Sequence, residues 1–180
     1  MTHPADLDQW LDAQGLRSFD DTCVMALPDL RKFRPAPKDG ETSLQRVGHS
    51  AFAQIVGQLR GSPLSQQQAH AQRLELSPVP FEGWVLRRSD DNALLACGQI
   101  AAEANMVGLY DVFTAPHARN QGHARALCAH LLDHARERRG AEIAYLQVES
   151  GNGPARALYH RLGFADAYTY HYRSSDPDAS

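Results

Sequence analysis

Apolar positions fall irregularly over the first 80 residues and become regular from residue 81 onward. FEGWVLRR (81–88) and LLACGQIA (94–101) carry apolar residues over strand lengths, and SDDNA between them supplies Asp90, Asp91 and Asn92 for a turn. This pattern predicts a hairpin. MVGLYDVFT, Met106 to Thr114, continues the antiparallel run after a turn at Glu103 to Asn105 and ends at Pro116, which has no N–H to extend a ladder. The period then changes. Leu127, Cys128, Leu131, Leu132 and Ala135 recur at helical spacing over 122–138, and Gly140 ends the helix. IAYLQV (Ile143 to Val148) predicts a short apolar strand, Pro154 to Leu162 a short helix with Gly163 as its cap, and YTYHYR (Tyr168 to Arg173) a closing strand. Three antiparallel strands, helix, strand, helix, strand is an α+β order. Its middle is a parallel strand–helix–strand crossover, expected to be right-handed.

The first 80 residues predict less. Leu7, Trp10 and Leu11 suggest a short helix, Thr22 to Leu27 a strand, and Phe33 to Thr42 a Pro/Gly-rich connection. Ala51 to Leu59 and Pro63 to Leu74 read as two helices, the second rich in Gln with one exposed side. The chain therefore divides into an N-terminal part (1–80), a patterned core (81–173) and a tail (174–180).

A chain of 180 residues, 43% of them hydrophobic, can bury a substantial core. The net charge of -3 offers no general basic field for nucleic acid or anionic lipid. Cys23, Cys97 and Cys128 are widely spaced, odd in number and without a CxxC pair, which argues against a disulfide framework or a thiolate metal site and points to a reducing, cytoplasmic setting. MTHPADLDQW has neither the basic nor the apolar region of an export signal, and no run approaches the roughly 18 apolar residues of a membrane span. No metal is expected. His130 and His134 stand at i, i+4, but the residues between them lack the HExxH glutamate and both fall off the apolar stripe, so they read as solvated surface.

Two stretches carry candidate chemistry. Arg119, Asn120, Gln121, Gly122, His123 and Ala124 link a strand to a helix and would present free N–H groups at a positive helix end, with small residues that let an anion approach and a basic residue beside it. The plain alternative is a glycine turn that starts a helix. In NGPARALYHRLGF, Asn152 starts a helix and Tyr159 lies two turns along it, able to look back toward the first site. The alternative is a cap at Asn152 and a packed tyrosine at 159.

Taken together, Arg119-Asn120-Gln121-Gly122-His123-Ala124 and Asn152 with Tyr159 resemble the two motifs of the GNAT superfamily, the acyl-CoA-dependent N-acyltransferases, over about residues 81–173. The resemblance implies the GNAT acyl-CoA N-acyltransferase fold: a mixed, mostly antiparallel sheet flanked by helices, with acetyl-CoA in a wedge between splayed strands 106–114 and 143–148. It implies that Val112, Phe113 and Thr114 pair with the pantetheine amides, that residues 119–124 hold the pyrophosphate, that Asn152 contacts the cosubstrate arm and that Tyr159 sits by the thioester sulfur. The activity implied is direct acetyl transfer to a primary amine, of a small molecule or a peptide, in a ternary complex. A longer acyl chain, or acyl-CoA sensing without turnover, are the alternatives; a homodimer is a common family outcome.

Chemically, such transfer needs an acid for the leaving thiol, with a pKa near 8.5, and a tyrosine near 10 serves with a modest mismatch, which assigns Tyr159. The incoming ammonium must lose a proton. Gly108 lies where some family members carry a glutamate for this step, which leaves Asp111, Glu149 and, more weakly, Glu103 as candidates, each also readable as a solvated or capping carboxylate. Tyr168, Tyr170 and Tyr172 alternate with His171, predicting tyrosines packed on one face, or a strand bordering the acceptor pocket. Finally, Trp10-Leu11 to Leu16 followed by a strand echoes Leu158-Tyr159 to Phe164 followed by a strand, as if the N-terminus were a remnant of a preceding repeat whose last strand completes this sheet.

Overall fold

The computed structural model describes residues 6–34 and 40–176, so the middle of the Pro/Gly-rich connection and most of the tail lie outside the described residues. Helix α1 (Leu7–Ala13) precedes β1 (Arg17–Leu27), then β2 (Thr42–Val47), α2 (His49–Arg60), α3 (Leu64–Leu76), β3 (Phe81–Arg88), β4 (Leu94–Glu103), β5 (Met106–Thr114), α4 (His123–Arg139), β6 (Ile143–Glu149), α5 (Gly153–Arg161) and β7 (Ala165–Ser174). The class is α+β, as expected. The strands form one seven-stranded sheet in the order β2-β3-β4-β5-β6-β1-β7. All neighbours are antiparallel except β5 and β6, which pair in parallel across α4.

β2 goes beyond the expected strands, whereas β1 contains the expected strand 22–27, extended back to Arg17. β2 pairs along β3 from Thr42↔Arg88 to Val47↔Gly83, and β1 is inserted between β6 and β7, with Thr22 to Leu27 paired on its β6 side. β2 is a sheet edge with no fully buried side chain, and its sequence, TSLQRV, has only Leu44 and Val47 as apolar positions, so it lacks the apolar alternation of a half-buried strand.

Alternation along the strands assigns the faces. The Cα–H of Gly98 faces Leu127 and Leu131 of α4, while that of Gly83 faces the ring of Phe52 on α2. Under α4, a large core gathers Leu127, Leu131 and Leu132 with Ile100, Leu109, Leu146, Tyr159 and Phe164. On the other face, Phe52, Val56, Leu74, Val85 and Cys97 form a smaller one beneath α2 and α3. Each such large side chain contributes about 1.5–3 kcal/mol by leaving water. The result is a rigid two-faced platform that holds β5 and β6 fixed from above and below.

β7 departs from expectation. It pairs only with β1, and Tyr168 and Tyr172 are 61% and 50% exposed rather than packed in the core. Its other side is tied to α1: His171 contacts Asp8 Oδ1 at 2.7 Å, and Arg173 donates to Asp8, to Asp12 and to the Leu16 carbonyl. An edge strand has a neighbour on one flank only, and the exposure of Tyr168 and Tyr172 shows how little covers this face among the described residues.

Candidate active site

The parallel ladder between β5 and β6 runs from Met106↔Ile143 to Leu109↔Leu146 and stops, although β5 continues to Thr114 and β6 to Glu149. The strands splay there. The cause lies in β5, whose pairing with β4 slips between Cys97↔Phe113 and Gln99↔Tyr110, a bulge centred on Asp111. Asp111 adopts φ +49, in the left-handed region that Asp tolerates better than most side chains. Splaying leaves backbone N–H and C=O groups of β5 beyond Leu109 without a β6 partner.

A cavity of about 680 Å³ opens at this split. Its sheet wall includes Leu109, Tyr110, Asp111, Val112 and Phe113 from β5 and Gln147, Val148 and Glu149 from β6. Asn152, Ala155 and Tyr159 line it from α5, and Arg60, His70 and Arg73 from α2 and α3. The chain thus brings Asp111, Glu149, Asn152, Val112, Phe113 and Tyr159 to one cavity. Thr114 ends β5 outside that lining, as do residues 119–124.

Tyr159 is 8% exposed, its ring packed edge-on against Phe164 with centroids 6.0 Å apart. Burial, with a smaller contribution from Cys128, pushes its phenol above the usual tyrosine value. The group therefore keeps its proton at neutral pH, and the residue lines the cavity. Asn152 caps α5, its Oδ1 accepting from the Ala155 N–H at 3.2 Å. The cap and the cavity position coexist, since a side chain can hold its helix and still present an edge to the void.

Asp111 is the most heavily engaged carboxylate of the site. Arg60 Nη2 lies 2.5 Å from Oδ1, Gln99 Nε2 donates to Oδ2 at 2.7 Å, and His70 Nε2 is 3.3 Å from Oδ2. The Arg60 guanidinium also stacks over Phe113 at 4.6 Å. Glu149, by contrast, is exposed at the end of β6, and its carboxylate has no ion pair or hydrogen bond among the described residues. Glu103, the weaker candidate, ends β4 outside the cavity lining. At Gly108 an added Cβ would stand 2.5 Å from the Tyr110 ring, and the Tyr110 hydroxyl lies 2.7 Å from that of Tyr145. An aromatic pair occupies the space where a longer side chain at 108 would project.

The N-terminus of α4 forms a second part of the site. Gly122 stands immediately before the helix at φ +84, a conformation that a side chain would strain, and Asn120 is at φ +60. No acidic residue lies in the first turn. A cavity of about 480 Å³ beside it is lined by Gly122, Arg125 and Ala126 of this segment, Arg161 beyond it, and Lys32 and Arg34 from the segment after β1. The wall is mainly basic, with Asp29 paired to Lys32 as its carboxylate, and such a wall around a positive helix end attracts anions. Gln121 and His123 face away, lining a different depression with Arg88 and Asp90.

Sequence reasoning missed Arg60, His70, Arg73, Gln99 and Gln147. His70 and Arg73 share one side of α3 with Gln66, a polar stripe that reads as solvated surface unless the fold is known to press it onto β5. Two other expectations are corrected. His134 is not solvated: it packs on Trp84 and lies 3.3 Å from the buried Glu82 carboxylate, because α4 lies flat on β3 there. Tyr168, Tyr170 and His171 do not line the cavity, since β7 is two strands removed from β6. No cluster of three or more His, Cys, Asp or Glu side chains suited to a metal occurs among the described residues.

Comparison with known proteins adds an independent line. The model of the acetyltransferase (GNAT) family matches residues 49–164. The [Ribosomal protein bS18]-alanine N-acetyltransferase of Escherichia coli K12 is 41% identical over 59 residues, 33% of this chain and 39% of that protein. The streptothricin acetyltransferase of Streptomyces lavendulae is 39% identical over 75 residues, 42% of this chain and 39% of that protein. The matched segment thus spans well under half the length of either relative. A GCN5-related N-acetyltransferase from Kribbella flavida superposes with a TM-score of 0.68 at 19% identity, over 97% of this chain and 65% of that one, a likeness of fold.

Proposed function

The chain belongs to the GNAT acetyltransferase family, and from that premise we propose that it transfers the acetyl group of acetyl-CoA to a primary amine. The observation that carries the reading is the splay of β5 from β6 with Tyr159 at its mouth. The residues present fit the cosubstrate. The open edge of β5 at Val112, Phe113 and Thr114 offers backbone groups for an amide-bearing arm to add to, like an extra strand. The Gly122 turn, with residues Arg119 to Ala124, offers amides and a helix end to a pyrophosphate, flanked by Arg125 and Arg161. Asn152 borders the arm between the two.

Acetyl-CoA supplies the activated thioester; the protein supplies position and protons. A β5 backbone N–H freed at the bulge is the donor for the thioester oxygen as charge develops on it. Tyr159, held protonated by burial, gives its proton to the departing sulfur. Glu149, exposed and unpaired at the rim, draws in the acceptor's ammonium. Asp111 and Glu149 both border the cavity as carboxylates that act on the acceptor's proton, directly or through a neighbour. The acceptor is an amine of a small molecule or a peptide N-terminus. Three buried, unpaired cysteines suit a reducing compartment such as the cytoplasm. Among the described residues no helix is long and apolar enough to cross a membrane.

The test is thiol release from acetyl-CoA against a panel that includes an alanine-initiated peptide, streptothricin and simple alkylamines. Turnover with any of them, abolished by Tyr159→Phe, supports the reading. Tight acetyl-CoA binding with no acceptor consumed across the panel would favour an acyl-CoA sensor instead.

A further inference from the structure

We propose that His70, oriented by Asp111, is the group that takes the proton from the acceptor amine; this rests on the acetyltransferase reading above. The placement is the argument. His70 lies on α3, its side chain 15% exposed, packed edge-on against Phe52 and lining the same cavity as Tyr159. Its Nε2 meets Asp111 Oδ2 at 3.3 Å, and Asp111 occupies the bulge that opens β5 for the cosubstrate. A carboxylate on one ring nitrogen fixes the tautomer and leaves the other, Nδ1, with its lone pair. Nδ1 has no hydrogen-bond partner among the described residues.

Asp111 itself is badly placed to accept that proton. Its two oxygens already accept from Arg60 and Gln99, so each is occupied by a donor of the protein. Arg60, fixed over Phe113, and Gln99 therefore hold Asp111 in place, and Asp111 in turn holds His70. The groups that face the imidazole are Asp111 from β5, Arg60 from α2 and Arg73 from α3, with Tyr110, Glu149 and Tyr159 across the cavity. Burial lowers the imidazole pKa, and Arg73 and Arg60 add to this against the opposing pull of Asp111. The ring is then neutral at pH 7 and available as a base.

The step balances without a further reactant. The ammonium N–H bond breaks and its proton moves to His70 Nδ1, directly or through one water. The amine lone pair forms the N–C bond, the C–S bond breaks with its electron pair on sulfur, and Tyr159 protonates the sulfur. The acylated nitrogen gives its second proton to the Tyr159 phenolate, which restores the phenol, and the imidazolium returns its proton to solvent.

The experiment compares His70→Gln with the wild type on two kinds of acceptor: the alanine-initiated peptide and ethylamine, which are charged at pH 7, and hydroxylamine, which is already neutral. His70→Gln should lose about 100-fold or more in kcat/KM on the charged amines, the low end of general-base effects. Transfer to hydroxylamine should change less than about threefold, with acetyl-CoA affinity and melting temperature preserved. The wild-type kcat/KM on the charged amines should rise with pH through an acid limb below the ordinary imidazole value, about 6.5. That limb should vanish in His70→Gln and move lower in Asp111→Asn, which removes the Asp111 charge that favours the imidazolium. An equal loss on both kinds of acceptor, or no loss on either, overturns the role of His70. A wild type that transfers to neither kind overturns the acetyltransferase reading and this proposal with it.

Discussion

Gly108→Ala tests whether Tyr110 and Tyr145 truly occupy the space beside the splay. The new Cβ would stand 2.5 Å from both Cε2 and the hydroxyl of Tyr110 and 2.7 Å from Cζ. Carbon atoms rest at about 3.5–4.0 Å, so the ring must retreat by roughly 1 Å. It is not free to do so, because it packs edge-on against Phe81 at 5.3 Å and its hydroxyl is bonded to Tyr145 at 2.7 Å. Retreat stretches that hydrogen bond beyond use, at about 1 kcal/mol, and overpacking adds about 1–3 kcal/mol. Replacing glycine in a strand returns about 0.5–1 kcal/mol. The net cost is about 1–3.5 kcal/mol, or roughly 2–14 °C in melting temperature at this chain length. Thermal unfolding of four proteins, the wild type, Gly108→Ala, Tyr110→Ala and the double variant, reads it out. In the Tyr110→Ala background the substitution at 108 should cost less than about 0.5 kcal/mol, a coupling within the range of contacting residues. An equal cost in both backgrounds would refute the reasoning.

Tyr159→Phe should lower kcat by about 10²–10⁴ while changing acetyl-CoA KM less than about twofold, because only the hydroxyl is lost and the ring keeps its contact with Phe164; steady-state kinetics read it, and a kcat within about threefold of wild type refutes the acid role. Replacing Arg125 and Arg161 together by Gln should weaken CoA binding about tenfold at low salt and flatten its salt dependence, measured by calorimetry at two ionic strengths; an unchanged affinity removes them from the phosphate site. Folded protein should react slowly with a thiol reagent, since all three cysteines are buried and burial pushes Cys97 and Cys128 to about 12; fast labelling of any of them contradicts the packing. Arg173 and His171 hold the Asp8 carboxyl well below its usual range. A lowered folded pKa gives stability present above the unfolded value, about 3.9, and lost as pH falls below it. The difference in melting temperature between wild type and Asp8→Asn should therefore shrink on acidification from pH 5 toward pH 2.

What could be read from residues 81–173 was set by periodicity: the hairpin, the long helix and the crossover all bury a regular face, and each lies where the spacing put it. β2 could not be read because an edge strand with no fully buried side chain carries little apolar signal. The site divides similarly. Tyr159 and Asn152 were legible because helix position fixes where they point, and Gly122 because only a special turn uses it. His70, Arg60 and Arg73 were not, since nothing in a Gln-rich amphipathic stretch reveals that its polar side closes onto a bulge in β5. The echo between residues 10–16 and 158–164 drew attention to residues 22–27. Their pairing within the sheet is a fact of packing, separate from any question of ancestry.

The position of β1 also bears on synthesis. It is made well before its two partners, β6 and β7, with β6 beginning about 115 residues later. At ordinary elongation rates the strand waits roughly 6–25 s with both hydrogen-bonding edges open and Cys23, Val24 and Met25 uncovered. Pairings this distant along the chain also slow closure of the sheet. The nascent chain can therefore assemble β2 to β5 with α2 to α4 first, while the insertion of β1 is deferred until the C-terminal third has been translated. During that interval the opening segment is exposed to chaperones and to like segments on neighbouring polysomes.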